Sequence, residues 1–579
     1  MLETVFVRLR FVLIGLAILV GLVIVQLLRI EFNPTTSDQL KELEHTLSRY
    51  PKEFSPERGR IFDSNGELLA TNDVEYEVGL SPAYVINPQD VATQLSSILD
   101  KSVTDILNAT KSKDPYVLIK RPVSAEVGEK IKALQAAYEE DHTQPDLRGV
   151  ELAPIQHRFY PNGSLAAPVL GFVAYNKEGN QVGYYGVEGF YNDLLAGRPV
   201  KGFEEVVPLN AQPDPVPDQG ADLYLTLDRD VQYLVEVTMA DAINKYGAEG
   251  GSILVMDPKT GAILGMTSWP TFDPNNYVQF PPPDPANPVV SGQYEPGSTF
   301  KVLTMAAALD SSSVKPDTVF VDTGYIEVGG LGIYNWNRGA WGPQDMTGCL
   351  RHSLNVCMAS LSTGMGAATF YNYLSAFGIG RATNVDLAAE ISGHLKQPGN
   401  ADWYDSDLGT NSFGQGVAVT PLQLVTAASA IANGGVMMQP HILYRVERGT
   451  SSRVIPSQII GRPIRPETAA TLNEMLAVSM ETGEADQALV PGYRLAGKTG
   501  TAEIPMAGGY EENRSIASFI GWGPVDDPRF IALVVLNRPK TSIWGSETAA
   551  PVFAQMTERL VVLLGIPPDD ARHAIQHGQ

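Results

Sequence analysis

The feature that most constrains this chain is an uncharged apolar run near the N-terminus, residues 11–28 (FVLIGLAILVGLVIVQLL), in which Gln26 is the one strongly polar residue. As a helix rising about 1.5 Å per residue, the run would be roughly 27 Å long, enough to cross a hydrocarbon core of about 30 Å with snorkelling ends. Arg8 and Arg10 precede it, and basic residues favour the cytoplasmic side. We therefore predict a cytoplasmic tail over residues 1–10, a single-pass anchor in the cell membrane and an extracytoplasmic remainder.

A cleaved signal peptide is the alternative interpretation of this apolar run. Its apolar region would be shorter, and a cleavage site of the small-x-small kind would follow it. Arg29, Glu31 and Asn33 follow the run instead. We therefore expect the segment to be an uncleaved anchor.

The length of the chain limits the possible architectures, and its charge limits the possible partners. A chain of 579 residues exceeds what one hydrophobic core usually serves, so two or three domains are expected. Its composition, 44% apolar and 18% charged, is that of an ordinary globular protein. The formal net charge of -23 argues against nucleic acid as a partner, because a polyphosphate needs a positive surface.

A proline-rich segment at residues 210–220 (NAQPDPVPDQG) is the predicted linker between two domains. Beyond it, apolar runs flank the turns at 257–261 and 524–528, which predicts a hairpin near each end of a second domain, 221–566. Helical patterns lie between these hairpins. We predict an α+β fold for this domain, in which one antiparallel sheet is built from both ends and carries helices packed on it. Residues 567–579 are expected to form a C-terminal tail.

The chain has two cysteines, Cys349 and Cys357. If they share one helix, a separation of eight residues places them about 12 Å apart, beyond the reach of a disulfide. We therefore expect both to be small buried hydrophobic residues rather than a bridge.

The strongest candidate for chemistry is the segment YEPGSTFK at residues 294–301. Pro296 and Gly297 interrupt the chain before an apolar helical run, so Ser298 is expected near a helix N-terminus, where N–H groups favour an oxyanion. Lys301 follows on the same helical face. A lysine among apolar neighbours and near a second cation loses its proton readily, and the neutral amine can deprotonate a serine. Alone, a Ser-x-x-Lys spacing is weak, since about one is expected by chance in such a chain.

A second candidate element is Ser353-Leu354-Asn355. The Ser353 hydroxyl could relay a proton to a leaving amine, and the Asn355 carboxamide could hold a peptide bond. The tripeptide has almost no specificity by itself, because a helix-capping serine followed by a solvated asparagine is a common pattern.

The third candidate element is Lys498-Thr499-Gly500-Thr501. A cation and two hydroxyls suit a substrate carboxylate. Gly500 has no side chain, which would let an extended peptide lie along a strand edge. The sequence thus predicts a substrate-binding strand here.

Two look-alike patterns are set aside. Lys259-Thr260-Gly261 also reads Lys-Thr-Gly, but it falls in a predicted hairpin turn and precedes Ser298. Residues 492–499 (GYRLAGKT) match the phosphate-binding pattern Gly-x4-Gly-Lys-Thr, but that motif must open a helix. The sequence that follows, GTAEIP and then two glycines, will not form one, and an extracytoplasmic location removes the nucleotide.

Ser-x-x-Lys, Ser-x-Asn and Lys-Thr-Gly-Thr follow one another here in the order found in penicillin-binding proteins and serine β-lactamases, which this chain resembles. Residues 294–301 and 413–423 (FGQGVAVTPLQ) resemble the family's first block and the stretch before its third motif. Residues 58–63 and 186–197 resemble the non-catalytic, dimerisation-type pedestal of class B penicillin-binding proteins. The likeness covers nearly the whole chain. Within class B, the block at 294–301 and AAPVF at 549–553 resemble the septal, cell-division type more than the elongation type.

The resemblance implies a peptidoglycan D,D-transpeptidase with an elongated mixed pedestal over residues 29–209 and a penicillin-binding/serine β-lactamase-like transpeptidase domain with a helical subdomain. Ser298 would attack the carbonyl between the two terminal D-alanines of a stem peptide, with Lys301 as the base. Backbone N–H groups of Ser298 and Thr501 would hold the oxyanion. No cofactor and no metal ion are expected.

The later steps are also implied by the resemblance. Ser353 and Lys498 would pass the proton to the departing D-alanine, while Thr499 and Thr501 bind its carboxylate. An amine from a neighbouring stem would then convert the acyl-enzyme into a cross-link. β-Lactams would acylate Ser298 and stay, because the sequence shows no recognisable glutamate for deacylation.

Other functions remain open at this point: an elongation-type transpeptidase, a D,D-carboxypeptidase or β-lactamase, a β-lactam-sensing receptor, or an inactive wall-synthesis scaffold. The anchor and pedestal argue against a hydrolase, the single span against a receptor, and the complete motifs against a dead scaffold. Expected partners are peptidoglycan stem peptides, β-lactam antibiotics and the membrane. The family further implies a multi-span glycan polymerase and other wall-synthesis proteins.

Overall fold

The computed structural model describes residues 2–32, 49–54, 56–177, 180–205, 216–279, 286–506 and 508–576. They divide into two units, one of Met1–Glu57 and Gly197–Gln219, the other of Arg58–Ala196 and Gly220–Gln579. Most of the predicted linker at 210–220 lies outside the described residues.

Strands and helices alternate irregularly along the chain. The strands are β1 (Arg49–Phe54), β2 (Ile61–Phe62), β3 (Leu68–Leu80), β4 (Val117–Val123), β5 (Val150–Phe159), β6 (Phe172–Tyr175), β7 (Gln181–Tyr184), β8 (Val200–Glu205), β9 (Asp222–Leu225), β10 (Gly250–Met256), β11 (Ile263–Trp269), β12 (Phe320–Asp322), β13 (Tyr325–Val328), β14 (Leu331–Tyr334), β15 (Gly342–Gln344), β16 (His394–Leu395), β17 (Val417–Ala418), β18 (Met437–Met438), β19 (Leu443–Arg448), β20 (Ser451–Val454), β21 (Ile459–Gly461), β22 (Ala496–Met506), β23 (Gly509–Gly523) and β24 (Phe530–Asn537).

The α-helices are α1 (Leu2–Phe32), α2 (Pro88–Leu99), α3 (Val103–Ala109), α4 (Ala125–Glu140), α5 (Ala167–Leu170), α6 (Gly186–Phe190), α7 (Asn192–Ala196), α8 (Arg229–Tyr246), α9 (Pro288–Ser291), α10 (Lys301–Asp310), α11 (Met346–Arg351), α12 (Asn355–Met365), α13 (Ala367–Ala376), α14 (Asp407–Thr410), α15 (Pro421–Ala432), α16 (Pro466–Thr482), α17 (Ala549–Leu563) and α18 (Asp569–Gln576). Short 3-10 helices cover Pro82–Tyr84, Pro274–Gln279, Gly297–Phe300, Asn411–Phe413 and Asp486–Ala488. Residues 567–579, predicted as a tail, therefore contain a helix.

The N-terminal helix α1 contains the predicted anchor. Its stretch Arg10–Arg29 has a mean hydropathy of 3.0 and none of it is buried. By length and composition the helix can cross a membrane. In the same unit, β1 and β8 pair antiparallel, with Arg49 opposite Glu205.

In the larger unit, a seven-stranded sheet has the order β20-β19-β9-β2-β3-β4, with β5 also paired to β3. β9 follows the predicted linker, yet it pairs in parallel with β2, Ile61 lying opposite Leu223, and antiparallel with β19. Strands from before and after the linker therefore share one continuous sheet.

A buried charge cluster holds this region together. Glu188 has no exposed surface, and its carboxylate bonds Arg58 Nη2 at 2.5 Å and Arg158 Nε at 2.6 Å. Burial alone would raise the pKa of Glu188, but the two guanidinium groups hold it below the usual value. The two segments that resemble the family pedestal, 58–63 and 186–197, thus meet through this ion pair network.

The five-stranded sheet has the order β11-β10-β24-β23-β22, and every pairing is antiparallel. It confirms the predicted sheet built from both ends of the domain. One face packs on α8 and α17 through an apolar cluster that includes Val235, Phe519 and Phe553. β22 is the last strand and has one neighbour, so its other edge is unpaired within the sheet.

The expectation of two unpaired cysteines is wrong, because Cys349 and Cys357 form a disulfide. The chain turns between α11 and α12, which brings the two Cα atoms to 6.1 Å. The argument from spacing assumed one continuous helix, and the break at residues 352–354 invalidates it. Both side chains are fully buried, as expected.

Candidate active site

The three sequence motifs meet at one cleft of about 330 Å³. Five predicted site residues line it, namely Ser298, Ser353, Asn355, Thr499 and Thr501. Lys301 and Lys498 lie beneath this surface, with 0% and 4% of the residue surface exposed. The remaining lining consists of Gly297, Trp336, Phe413, Gln415, Glu484, Trp544, Ser546 and Glu547.

Ser298 lies in the short 3-10 helix Gly297–Phe300, which leads directly into α10. Gly297 has a φ of 56°, a value that favours glycine, and its N–H donates to the Gly414 carbonyl at 3.1 Å. A Cβ at Gly297 would lie 3.1 Å from the Thr501 carbonyl oxygen. Glycine thus permits the close approach of the Ser298 turn to β22, and Ser298 lies at the start of a helical segment as predicted.

The Lys301 side chain connects the first motif to the second. Its Nζ lies 2.5 Å from the Ser353 carbonyl oxygen, 3.1 Å from Ser353 Oγ and 2.8 Å from Asn355 Oδ1. A neutral amine can satisfy this arrangement, donating to the carbonyl and amide oxygens and accepting from the hydroxyl. Burial, together with the charge of Lys498, lowers the pKa of Lys301 well below its usual value, against an opposing effect of Glu484. Lys301 is therefore equipped to act as a base.

Ser353 occupies the turn between α11 and α12 with a φ of 52°, a left-handed conformation that is uncommon for a side chain other than glycine. The disulfide between Cys349 and Cys357 closes a loop around this turn. Leu354, rather than Ser353, is the N-cap of α12. The common alternative of a capping serine with a solvated asparagine does not apply here, because Asn355 also donates to the Tyr334 carbonyl at 3.0 Å.

The third motif lies on the edge strand β22. Lys498 Nζ is 3.1 Å from Thr499 Oγ1. Burial lowers the pKa of Lys498 to about 8, against the charge of Glu484. Thr501 Oγ1 accepts a hydrogen bond from the Gly545 N–H at 3.0 Å, which fixes its side chain. The strand therefore offers a cation and two hydroxyls beside an unpaired edge.

Gly500 is required by the packing beneath the strand. A Cβ at this position would lie 2.3 Å from Ser518 Oγ and 2.8 Å from Thr299 Cγ2. From the sequence, we explained Gly500 by the space that a peptide on the strand edge needs. In the structure, a side chain at this position would instead collide with the Ser298 helix and the neighbouring strand.

Both look-alike patterns have the structures expected of them. Residues 259–261 lie in the turn of the β10–β11 hairpin. The segment that matches a phosphate-binding loop continues as β22 and opens no helix. The first segment is therefore a hairpin turn rather than a substrate-binding strand, and the second lacks the helix that a phosphate-binding loop must open.

Several cleft residues were not predicted. Trp336 and Trp544 come from distant loops, and their ring centroids are 5.5 Å apart. Glu484 follows α16 and influences both site lysines electrostatically. Single tryptophans and an acidic residue in a loop carry no motif, so no local sequence signal identifies them. Gln415, by contrast, falls in the FGQG stretch that the family resemblance had marked.

Comparisons with known proteins agree with this geometry. The chain matches the family "Penicillin binding protein transpeptidase domain" over residues 251–558 and the family "Penicillin-binding Protein dimerisation domain" over residues 53–219. It is 36% identical over 537 residues to Stage V sporulation protein D of Bacillus subtilis, covering 89% of this chain and 79% of that protein.

Two further matches are a peptidoglycan D,D-transpeptidase and a penicillin-binding protein in complex with a β-lactam. The peptidoglycan D,D-transpeptidase FtsI of Escherichia coli is 30% identical, with 90% of this chain and 85% of that protein covered. The crystal structure of penicillin binding protein 3 from Mycobacterium tuberculosis, complexed with aztreonam, superposes with a TM-score of 0.68 at 26% identity. That alignment covers 89% of this chain and 98% of the other.

Proposed function

Because this chain belongs to the class B penicillin-binding proteins, we propose that Ser298 is the nucleophile of its peptidoglycan D,D-transpeptidase reaction. The observation that carries this assignment is the position of Lys301, buried under the cleft and hydrogen-bonded to the second motif. In acylation, Lys301 takes the Ser298 proton as Oγ attacks the carbonyl between two terminal D-alanines. The N–H groups of Ser298 and Thr501 stabilise the oxyanion.

The departing D-alanine is handled by the second and third motifs. Its amine receives a proton through Ser353 and Lys498, whereas its carboxylate pairs with Thr499 and Thr501 beside the Lys498 cation. Gly500 supports this strand, and Asn355 holds the base and the donor peptide. An amine of a neighbouring stem then displaces Ser298 and completes the cross-link.

β-Lactams enter the same cleft and acylate Ser298. The complex of the Mycobacterium tuberculosis protein with aztreonam supports this for the present chain. When a β-lactam ring opens, its leaving amine stays tethered to the acyl group. It therefore remains in the cleft and blocks the approach of the next nucleophile. We therefore propose that the ester between Ser298 and an opened β-lactam is long-lived.

The cellular assignment rests on the relatives. The dimerisation match at 53–219 and the transpeptidase match at 251–558 support a pedestal over 29–209 and a catalytic domain over 221–566. The blocks at residues 294–301 and 549–553 favour septal wall synthesis, and the family resemblance implies a multi-span glycan polymerase as partner. The basic residues before residues 11–28 favour a cytoplasmic N-terminus and an extracytoplasmic catalytic domain. Fluorescence localisation at the septum rather than the sidewall tests the septal role.

The reaction itself is tested with the full chain in detergent. A stem-peptide donor ending in D-alanyl-D-alanine is incubated with and without an acceptor amine, and products are identified by mass spectrometry. We expect D-alanine release and a cross-linked dimer with the wild type and neither with Ser298→Ala. A product that is only hydrolysed, whatever the acceptor concentration, would identify a carboxypeptidase instead.

A further inference from the structure

We propose that Glu484 binds the ammonium group of the acceptor and takes its proton as the amine attacks the acyl-enzyme. This inference rests on the proposed function, because it concerns the second half of that reaction. It adds a residue from outside the three motifs to the cleft, and it assigns the side of the cleft from which the acceptor arrives.

The fold places Glu484 beside the second motif. Glu484 follows α16, whose Ser479 Oγ lies 3.3 Å from the Thr347 carbonyl oxygen of α11. The adjacent Gly483 packs so closely that a Cβ there would lie 2.8 Å from Arg351 Cγ and 3.0 Å from the Arg351 carbonyl oxygen. Ser353 comes directly after α11. The end of α16 is therefore held against the turn that carries the proposed proton relay.

The Glu484 carboxylate has unused hydrogen-bonding capacity. Within the described part of the chain it makes no hydrogen bond and no contact ion pair, although it is half-buried. The second carboxylate in the cleft lining, Glu547, accepts a hydrogen bond from Ser542 Oγ at 2.6 Å. Burial raises the pKa of Glu484, and the charges of Lys498 and Lys301 oppose this rise. A half-buried carboxylate without a hydrogen bond or contact ion pair fits an incoming cation.

The charge changes during the reaction give this carboxylate a role. The donor brings a carboxylate to Lys498 and the two threonines, and that carboxylate leaves with D-alanine. The acceptor that replaces it is an ammonium ion, which Lys498 repels. Glu484 lines the same cleft as Thr499 and Thr501, and its charge acts on Lys498, so it offsets the lysine charge for an incoming ammonium.

The proton balance of the step is complete. Of the three protons on the acceptor ammonium, one passes to Glu484 and then to water. The freed lone pair forms the C–N bond with the ester carbon, and the bond from that carbon to Ser298 Oγ breaks. A second proton passes through Lys301 to Ser298 Oγ. The third remains on the new amide nitrogen.

The test compares nucleophiles that compete for one acyl-enzyme. The full-length protein in detergent is acylated by an N-acyl-D-alanyl thioester, and the products are quantified with D-alanine as an amine acceptor, with methanol as a neutral acceptor, and with water alone. The variants are Glu484→Gln, Glu484→Asp and the matched cleft control Glu547→Gln. Product ratios do not depend on how fast each variant is acylated. They therefore report the deacylation step alone, free of any effect that the substitution has on Lys301 or Lys498 during acylation.

For Glu484→Gln we expect the ratio of aminolysis to hydrolysis to fall by on the order of 10²-fold, the usual contribution of a general base, while the ratio of methanolysis to hydrolysis is unchanged. Glu484→Asp should restore part of the loss, and Glu547→Gln should resemble the wild type. An unchanged aminolysis ratio, an equal fall with methanol, or an equal effect of Glu547→Gln overturns the proposal. Failure of the wild type to form an acyl-enzyme would instead contradict the proposed function.

Discussion

The side-chain nitrogen of Lys301 lies 2.5 Å from the carbonyl oxygen of Ser353 and 3.1 Å from the hydroxyl of the same residue. The proposed base therefore touches the proposed proton relay, and the left-handed backbone of Ser353 holds both groups toward one amine. In the proposed mechanism, this contact couples acylation to protonation of the leaving group through two residues that lie far apart in the sequence.

Removing the titratable amine should abolish acylation. Lys301→Arg keeps a positive charge that cannot be given up near neutral pH, and Lys301→Met removes the charge while keeping most of the apolar stem. For both, we expect the second-order rate constant of acylation by a fluorescent penicillin to fall by about 10³-fold or more, the scale of a lost general base. The control Lys259→Arg changes the lysine of the look-alike turn and should react like the wild type. A rate within about tenfold of the wild type in both Lys301 variants would show that this lysine is not the base.

The pH dependence of acylation should be bell-shaped. Lys301 acts as a neutral amine, so the rate rises as pH increases through its lowered pKa. Lys498 acts as a cation, so the rate falls again as pH increases through its pKa of about 8. In Lys498→Arg the guanidinium keeps its charge, and the alkaline limb should move to higher pH even if the maximal rate is lower. An alkaline limb that stays in place would assign it to another group.

The disulfide between Cys349 and Cys357 should hold the second motif in its active conformation. Because it closes a short loop around Ser353, its loss should destabilise the fold by roughly 2–3 kcal/mol on a loop-entropy basis. We also expect the protein that remains folded to be acylated more slowly than the wild type. The measurement is the acylation rate of the double variant Cys349→Ala, Cys357→Ala, at a temperature where circular dichroism shows it folded. Wild-type kinetics in the folded double variant would mean that the turn keeps its shape without the bond.

Glu188→Gln should destabilise the larger unit, because it leaves Arg58 and Arg158 buried without a compensating charge. Breaking a buried ion pair on one side costs about 3–5 kcal/mol, which denaturant unfolding can measure. Glu126→Gln removes an exposed charge paired with Lys130 on α4 and should have little effect. Similar stabilities of the two variants would contradict the structural role assigned to the cluster.

The sequence predicted the parts of the site that have local signals. A break before an apolar helix located Ser298, and helical spacing located Lys301. Apolar runs on both sides of a turn located the hairpins of the five-stranded sheet, because the residues around a turn specify both strands. The resemblance to penicillin-binding proteins, carried by three short motifs in their order, then implied that Ser298, Ser353 and Lys498 share one site.

The parts that were missed depend on contacts between distant segments. β9 joins strands on the other side of the linker, a pairing that no local pattern specifies. The disulfide was missed because three residues between α11 and α12 interrupt the helix, whereas the distance argument assumed one continuous helix across both cysteines. Glu484 reaches the cleft only through the packing of α16 on α11, and an isolated glutamate in a loop has no sequence signature.

Mapping of the covalent adduct tests the central claim most directly. The full-length protein is treated with a penicillin, digested with a protease and analysed by tandem mass spectrometry, with Ser298→Ala treated in parallel. We predict one added penicilloyl mass on Ser298 in the wild type and no adduct in the variant. An adduct on a different residue, or equal modification of Ser298→Ala, would contradict the assignment of Ser298 as the nucleophile.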